Sequence, residues 1–125
     1  MVLVEVSKGE LIDKITILEI KNARITEDTK LANVRKELET LRALEFPTEQ
    51  KAALKKINEI IWDVEERLRH LETLEDFGEE FIEKARMVYK FNDERSRIKK
   101  EINITCGSNL VEEKSYTTNV QRSSV

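Results

Sequence analysis

The sequence has few residues that interrupt regular structure, with three glycines and one proline in 125 residues. An all-β sandwich or barrel needs many more turn-forming residues, so that fold class is excluded, and an interleaved α/β sheet is disfavoured for the same reason. A single cysteine excludes an internal disulfide. What remains is a chain of long helices with the usual size of one domain.

The charges are nearly balanced, and no long apolar run is present. The 22 basic and 25 acidic residues are interspersed and give a net charge of -3, whereas a nucleic-acid-binding protein normally has a basic face. No apolar run approaches the roughly 18 residues of a membrane span, and the first residues lack the blocks of a signal peptide. We therefore expect a cytoplasmic protein that binds neither nucleic acid nor a membrane.

Helix start and stop residues divide the chain into four main helices. The β-branched segment 2–6 favours an extended strand, after which Ser7 and Glu10 have the spacing of a capping box. Pro47 and Gly78 mark the later breaks. The expected helices are 8–25, 30–44, about 48–76 and 79–107. The sequence thus predicts an all-α bundle of two shorter and two long helices with a short N-terminal extended segment.

The same pattern predicts one helical domain over residues 1–108 and a partly disordered tail over 109–125, which is rich in Ser, Thr, Asn and Gln. Helices three and four, of about 27 residues each, should be about 40 Å long, and the first two about 25 Å. Helix three also has coiled-coil spacing, with apolar residues at Leu54, Ile57, Ile61, Val64, Leu68 and Leu71. The surplus length of the long pair predicts a homo-oligomer.

Helix one is apolar on more than one side, so it should lie at the centre of the bundle. On helix four, Asn92 and Arg95 fall where the apolar seam of Phe81, Ala85 and Val88 would continue. Buried polar groups need partners, and Asp13 or Glu19 of helix one could pair with Arg95.

Two interpretations of these polar residues follow. They form an internal ion pair and amide that fix the packing register, or they line a site for an anionic small molecule, because arginine binds carboxylate and phosphate well. The candidate ligand-binding residues are Asp13, Lys14, Lys21, Asn92 and Arg95.

Trp62 lies one step off the apolar seam of helix three. A tryptophan there either covers a neighbouring helix or anchors an interface between chains. The single histidine, His70, and the single cysteine, Cys106, have no partners at ligand or catalytic spacing, and no phosphate loop or nucleophile motif is present. The sequence therefore predicts no catalytic residue, no metal and no cofactor.

Four sequence blocks are spread over nearly the whole chain: VEVSKGELIDKITILEIK from residue 4, KLANVRKEL from residue 30, VYKFNDER from residue 88 and LVEEKSY from residue 110. The chain resembles an uncharacterised bacterial and phage family of small helical proteins, classed as a domain of unknown function. The resemblance implies a bacterial or viral origin and no particular activity. From the residues, we expect a non-catalytic helical assembly protein that self-associates and binds another protein. The alternative is a binder of an anionic metabolite, or an enzyme acting on one, with its polar site between helices one and four.

Overall fold

A computed structural model describes residues 2–107, in which four helices form an all-α bundle and no strand occurs. The helices are α1 (Lys8–Arg24), α2 (Asp28–Arg42), α3 (Lys51–Thr73) and α4 (Glu79–Thr105). Residues 2–7 precede α1 without regular structure. Within this part of the chain, every helix is too short or too polar to cross a membrane. The predicted tail, 109–125, lies outside the described residues.

The start of α1 confirms the Ser7 half of the predicted capping box, whereas the Glu10 carboxylate instead lies against Lys14 and Lys99. The Ser7 hydroxyl accepts a hydrogen bond from the Glu10 backbone N–H at 3.1 Å, which satisfies one of the amides left free at a helix start. Glu10 is also the acidic residue of the first turn, where the helix dipole favours negative charge. This cap fixes where α1 begins and therefore which of its side chains face the other helices.

Helix α1 lies at the centre, as its apolar sides predict. It packs against α2, α3 and α4, whereas α2 packs against α1 alone in the described part of the chain. Ile12 joins Leu54, Ile98 and Ile102 in one apolar cluster, and phenyl and aliphatic side chains around it include Phe46 and Ile57. A second cluster contains Ile15, Leu18, Val34 and Leu38. The two clusters hold α1 between α2 on one side and the α3–α4 pair on the other.

Helix α3 is shorter than the sequence predicts at both ends. It begins at Lys51 because residues 48–51 form a turn, in which the Lys51 N–H donates to the Thr48 carbonyl. It ends at Thr73 because Glu75 adopts a left-handed conformation with φ of 53°. The Asp76 N–H then donates back to the Leu71 carbonyl at 2.9 Å, and the Glu75 N–H to the Glu72 carbonyl, which is a Schellman termination.

Helices α3 and α4 form an antiparallel hairpin, and α1 covers only part of its length. The fully buried residues of α4 all lie in its last two turns: Ile98, Lys99, Ile102 and Asn103. At the other end, Arg24 in the last turn of α1 reaches Asp63 of α3. Beyond that point the hairpin has no helix over it in the described residues, and we call residues 64–91 the distal hairpin.

Candidate functional site

A buried carboxylate joins three helices. The Asp13 side chain of α1 is 1% exposed and forms a two-pronged ion pair with Arg95 of α4. The Arg95 Nε lies 2.9 Å from Oδ1, and the second guanidinium nitrogen bonds Oδ2. The Asn58 amide of α3 donates to the same Oδ1 at 2.9 Å. It also donates to the Thr16 hydroxyl at 2.9 Å, so a single amide ties α3 to two residues of α1.

The polar contacts between α1 and α4 continue toward the start of α1. Lys99 is buried, and its ammonium lies 2.7 Å from Glu10 Oε2 and 4.0 Å from Asp13 Oδ2. One step further, the Gly9 N–H donates to Asn103 Oδ1 at 2.7 Å. We call this set the polar column: Gly9, Glu10, Asp13, Thr16, Asn58, Arg95, Lys99 and Asn103. Its two carboxylates and two cations balance, so the column is internally neutral.

Gly9 is required by the close approach of α1 and α4. A Cβ at this position would lie 2.4 Å from the Lys99 carbonyl oxygen and 3.0 Å from Asn103 Oδ1. Atoms at such distances repel strongly, so any larger side chain would force the two helices apart. The Asn103 amide nitrogen, itself buried, has no hydrogen-bond partner within residues 2–107. The glycine thus lets α4 come near enough for the ion pairs of the polar column.

The structure brings together three of the five residues predicted to bind an anion. Asn92 Oδ1 accepts from Arg95 at 3.4 Å, beside the Asp13 pair. Lys14 is instead exposed and lies 3.7 Å from Glu10 on its own helix. Lys21 is half-buried in the last turn of α1, two turns from Asp13, and its ammonium has no ion-pair partner in the described part of the chain. Of the two partners that the sequence offers for Arg95, Asp13 forms the pair, and Glu19 does not.

A second charged cluster surrounds Glu19, whose side chain is 11% exposed. Arg42 of α2 and Lys51 of α3 each lie 3.0 Å from Oε2, and Lys55 lies 3.4 Å from Oε1. Burial alone would raise the pKa of Glu19, but the hydrogen bonds from Lys51 and Arg42 and the nearby lysine charges outweigh it and lower the pKa. The cluster links α2 to α3, which do not otherwise pack together in residues 2–107.

Trp62 lies beside the end of α1. The Arg24 guanidinium carbon is 5.8 Å from the centre of its ring, and Arg24 also contacts Asp63 at 2.6 Å. The half-buried indole therefore packs against a neighbouring helix, which is one of its two predicted roles. It also stands at the border between the covered hairpin and the distal hairpin.

Beyond Trp62, an open groove of about 500 Å³ runs between α3 and α4 of the distal hairpin. Its lining residues are Leu68, Arg69, Glu72, Thr73, Phe81 and Ala85. At the tip, the rings of Phe77 and Phe81 meet edge to face with centres 5.2 Å apart. This groove combines an apolar floor with one acidic and one basic side chain at its edge.

Sequence reasoning did not assign six members of the polar column to a site: Gly9, Glu10, Thr16, Asn58, Lys99 and Asn103. Asn58 follows Leu54 by four residues and precedes Ile61 by three, so it stands in the seam and was detectable by spacing. Lys99 and Asn103 continue the row of Arg95 at steps of four and were detectable in the same way. Gly9 had no such signal, because its role depends on the Lys99 carbonyl of a distant helix.

Comparison with protein-family models gives a match over nearly the whole chain. A model described as a family of unknown function (DUF6165) matches residues 2–125. No curated protein matches the chain, and no solved structure matches it.

Proposed function

Because this chain belongs to DUF6165, a family of unknown function, we propose its function from its own geometry: it is a helical assembly module that self-associates through the distal hairpin. The polar column and the core clusters hold α1 against one half of the α3–α4 hairpin. The other half is available to a second copy of the chain. No chemical step is part of this proposal.

The observation that carries the proposal is the apolar surface of the distal hairpin. Three large apolar side chains at or near its tip are more than half exposed, Leu74 at 60%, Ile82 at 57% and Phe77 at 52%, and Tyr89, further along α4, is 47% exposed. Single exposed apolar residues are ordinary, but the Phe77 ring contacts Phe81 of the groove, and an exposed apolar side chain that continues an apolar groove is typical of an interaction surface. A second hairpin packed on this surface would remove these side chains from water.

The size of the surface indicates the strength of the contact. The distal hairpin is about 20 Å long and two helices, or about 20 Å, wide. Two such faces would bury roughly 1,000 Å² in total, which is at the lower end of specific protein interfaces. We therefore expect a dimer with a dissociation constant of roughly micromolar order, which forms and separates with protein concentration.

The alternative function, a site for an anionic metabolite at Asp13, Lys14, Lys21, Asn92 and Arg95, has weaker support. The Asp13 carboxylate already engages both prongs of Arg95. An anion would have to displace this buried carboxylate and leave it unpaired, at a cost of several kcal/mol. Lys14 lies outside the ion pair, against Glu10. This arrangement favours a structural role for the polar column.

The proposed surface is tested by removing its apolar side chains. The double variant Leu74→Ser/Phe77→Ser keeps the buried core intact and should raise the dissociation constant of the dimer at least tenfold, as measured by sedimentation velocity over a concentration series. The matched control is Leu44→Ser/Ile104→Ser, which removes two apolar residues of 64% and 73% exposure outside the distal hairpin.

Circular dichroism should show the same helix content for both variants and the wild type. Equal weakening by the two double variants would mean that the contact is a general effect of exposed apolar area. No weakening by the distal variant would place self-association on another surface. Either result would overturn the proposal that the distal hairpin is the interface.

A further inference from the structure

The groove of the distal hairpin lies on the same surface of α3 and α4 that α1 covers, beyond the last residue of α1. On α4, Asn103, Lys99 and Arg95 lie under α1. The same helical row, followed at steps of three and four, reaches Ala85 and Phe81, which line the groove. A helix lying in this groove would therefore cover the same row of α4 that α1 covers further along.

Helix α3 has the same continuity. Asn58 bonds α1, and Trp62 packs against Arg24 at its end. Steps of three and four from Trp62 lead to Arg69 and Glu72 at the edge of the groove. The surfaces of α3 and α4 that contact α1 thus continue into the distal hairpin, where no helix within residues 2–107 covers them.

On the basis of the proposed self-association, we infer that the second copy packs in antiparallel orientation, with its distal hairpin lying in the groove directly beyond the end of α1. Each copy then places its distal hairpin over the uncovered groove of the other copy. The contact has two-fold symmetry, with α3 against α3 and α4 against α4.

Steric exclusion selects this orientation. Each α1 projects from the same face of the hairpin that holds the groove. If the two hairpins lay parallel, both α1 helices would occupy the same level and collide before the grooves could meet. In the antiparallel arrangement, the α1 of each copy lies beyond the tip of the other hairpin, so the grooves close on each other.

The groove residues are self-complementary in this arrangement. In a two-fold contact, if residue i meets residue j of the partner, then j also meets i. Around a single two-fold axis, Arg69 lies opposite Glu72 of the second copy. Phe81 lies opposite Ala85 of the second copy, so a large side chain packs against a small one. All four residues line a single cavity, so one two-fold axis can pass between Arg69 and Glu72 on α3 and between Phe81 and Ala85 on α4. Neither Arg69 nor Glu72 has an ion-pair partner within residues 2–107.

The charges at the two ends of the contact also match. The tip of the hairpin carries the exposed acids Glu75, Asp76 and Glu79, and also Glu80, which is paired with Arg67 of its own chain. The last turn of α1, toward which the partner's tip points, carries Lys21, and also Arg24, which is paired with Asp63 of its own chain. Opposite charges at these positions favour the antiparallel register and make the association sensitive to salt.

Charge reversal tests the inferred pairing in the full chain. In Arg69→Glu, residues 69 and 72 are both acidic, and in Glu72→Arg both are basic, so each variant alone should form a dimer at least about tenfold weaker than the wild type. An equimolar mixture of the two variants should form a heterodimer, because every reversed charge then meets its opposite. The double variant Arg69→Glu/Glu72→Arg should self-associate like the wild type.

Orientation is read independently from a spin label at Lys56→Cys in a Cys106→Ser background. Lys56 lies 14.5 residues from the midpoint of residues 69 and 72, so two labels in an antiparallel dimer are separated by about 43 Å of helical rise. In a parallel dimer the labels lie at one level, about 20–30 Å apart. A measured separation in the shorter range overturns the inferred orientation.

Different experimental results would overturn this inference and the proposed function. A wild-type chain that stays monomeric overturns the proposed self-association itself. A wild-type dimer that the two single reversals leave unchanged, or whose reversed variants do not associate when mixed, overturns the antiparallel pairing of Arg69 with Glu72 and leaves self-association standing.

Discussion

Arg95 and Asp13, 82 residues apart in the chain, form a two-pronged ion pair that fixes α4 against α1. The carboxylate has the Asn58 amide as a further donor, so all three helices of this contact meet at one side chain. A buried charge whose partners are all present fixes the packing register of the helices at little net cost in folding free energy. Removing one partner leaves the other charge unpaired and destabilises the fold.

We therefore expect Asp13→Ala to destabilise the fold by about 3–5 kcal/mol, because it leaves Arg95 without its carboxylate and Asn58 without an acceptor. Urea unfolding followed by circular dichroism measures the change. The control is Lys14→Ala on the same helix, whose exposed pair with Glu10 is worth about 0.5 kcal/mol or less. A loss below about 1 kcal/mol for Asp13→Ala would show that the pair does not hold α4 in place.

Gly9→Ala should also be costly. The added methyl would lie 2.4 Å from the Lys99 carbonyl oxygen, so α1 and α4 must separate, at a cost of about 1–3 kcal/mol. Gly78→Ala is the matched control, since its Cβ would meet only the Asp76 carboxylate at 3.2 Å on an exposed turn. Similar unfolding midpoints for the two variants would contradict the close approach at Gly9.

Glu75→Gly should change stability in the opposite direction. Glu75 ends α3 with a φ of 53°, a conformation that glycine adopts without strain. We expect a gain of up to about 1 kcal/mol, seen as a higher urea midpoint at an unchanged slope. Glu66→Gly, in the exposed middle of α3, should instead lose about 1 kcal/mol. A loss at both positions would contradict the left-handed termination.

The Glu19 cluster makes stability depend on pH. Its pKa is lowered from the ordinary value of 4.5, so the folded state releases this proton more readily than the unfolded state. The resulting stabilisation is present above pH 4.5 and is lost as the pH falls through the lowered pKa. Glu19→Gln should be less stable than the wild type by about 1–2 kcal/mol at pH 7. The gap should shrink in acid.

Urea unfolding of the wild type and Glu19→Gln from pH 7 to pH 3 measures that gap. Glu37→Gln, at an exposed position of α2, is the control and should follow the wild type throughout. A gap between the wild type and Glu19→Gln that stays constant as the pH falls would mean that the Glu19 carboxylate is not held ionised by Arg42 and Lys51.

Much of the fold follows from local chemistry. The Ser7 cap, the apolar seams and the breaks near Pro47 and Gly78 predict four helices and a central α1, because these features act within one or two turns. The end of α3 could not be predicted, since Glu75 takes the position in which glycine is common. There the backbone bonds of the Schellman turn outweigh the residue preference.

The candidate site was predictable only in part. Arg95 interrupts an apolar seam, so its need for a buried carboxylate could be read from spacing, but Asp13 and Glu19 were both available. The structure decides between them, since Glu19 faces Arg42 and Lys51 on the opposite side of α1. The open groove depends on where α1 stops relative to α3 and α4, which only the tertiary contacts of Arg24 reveal.

The central claim, that the distal hairpin makes this chain an assembly module, is tested most directly by sedimentation equilibrium of the full chain from about 1 to 500 micromolar. We predict that the apparent mass rises from the 14.6 kDa of one chain toward twice that value across this range. A well-folded chain that keeps the mass of a monomer at the highest concentration would contradict the account.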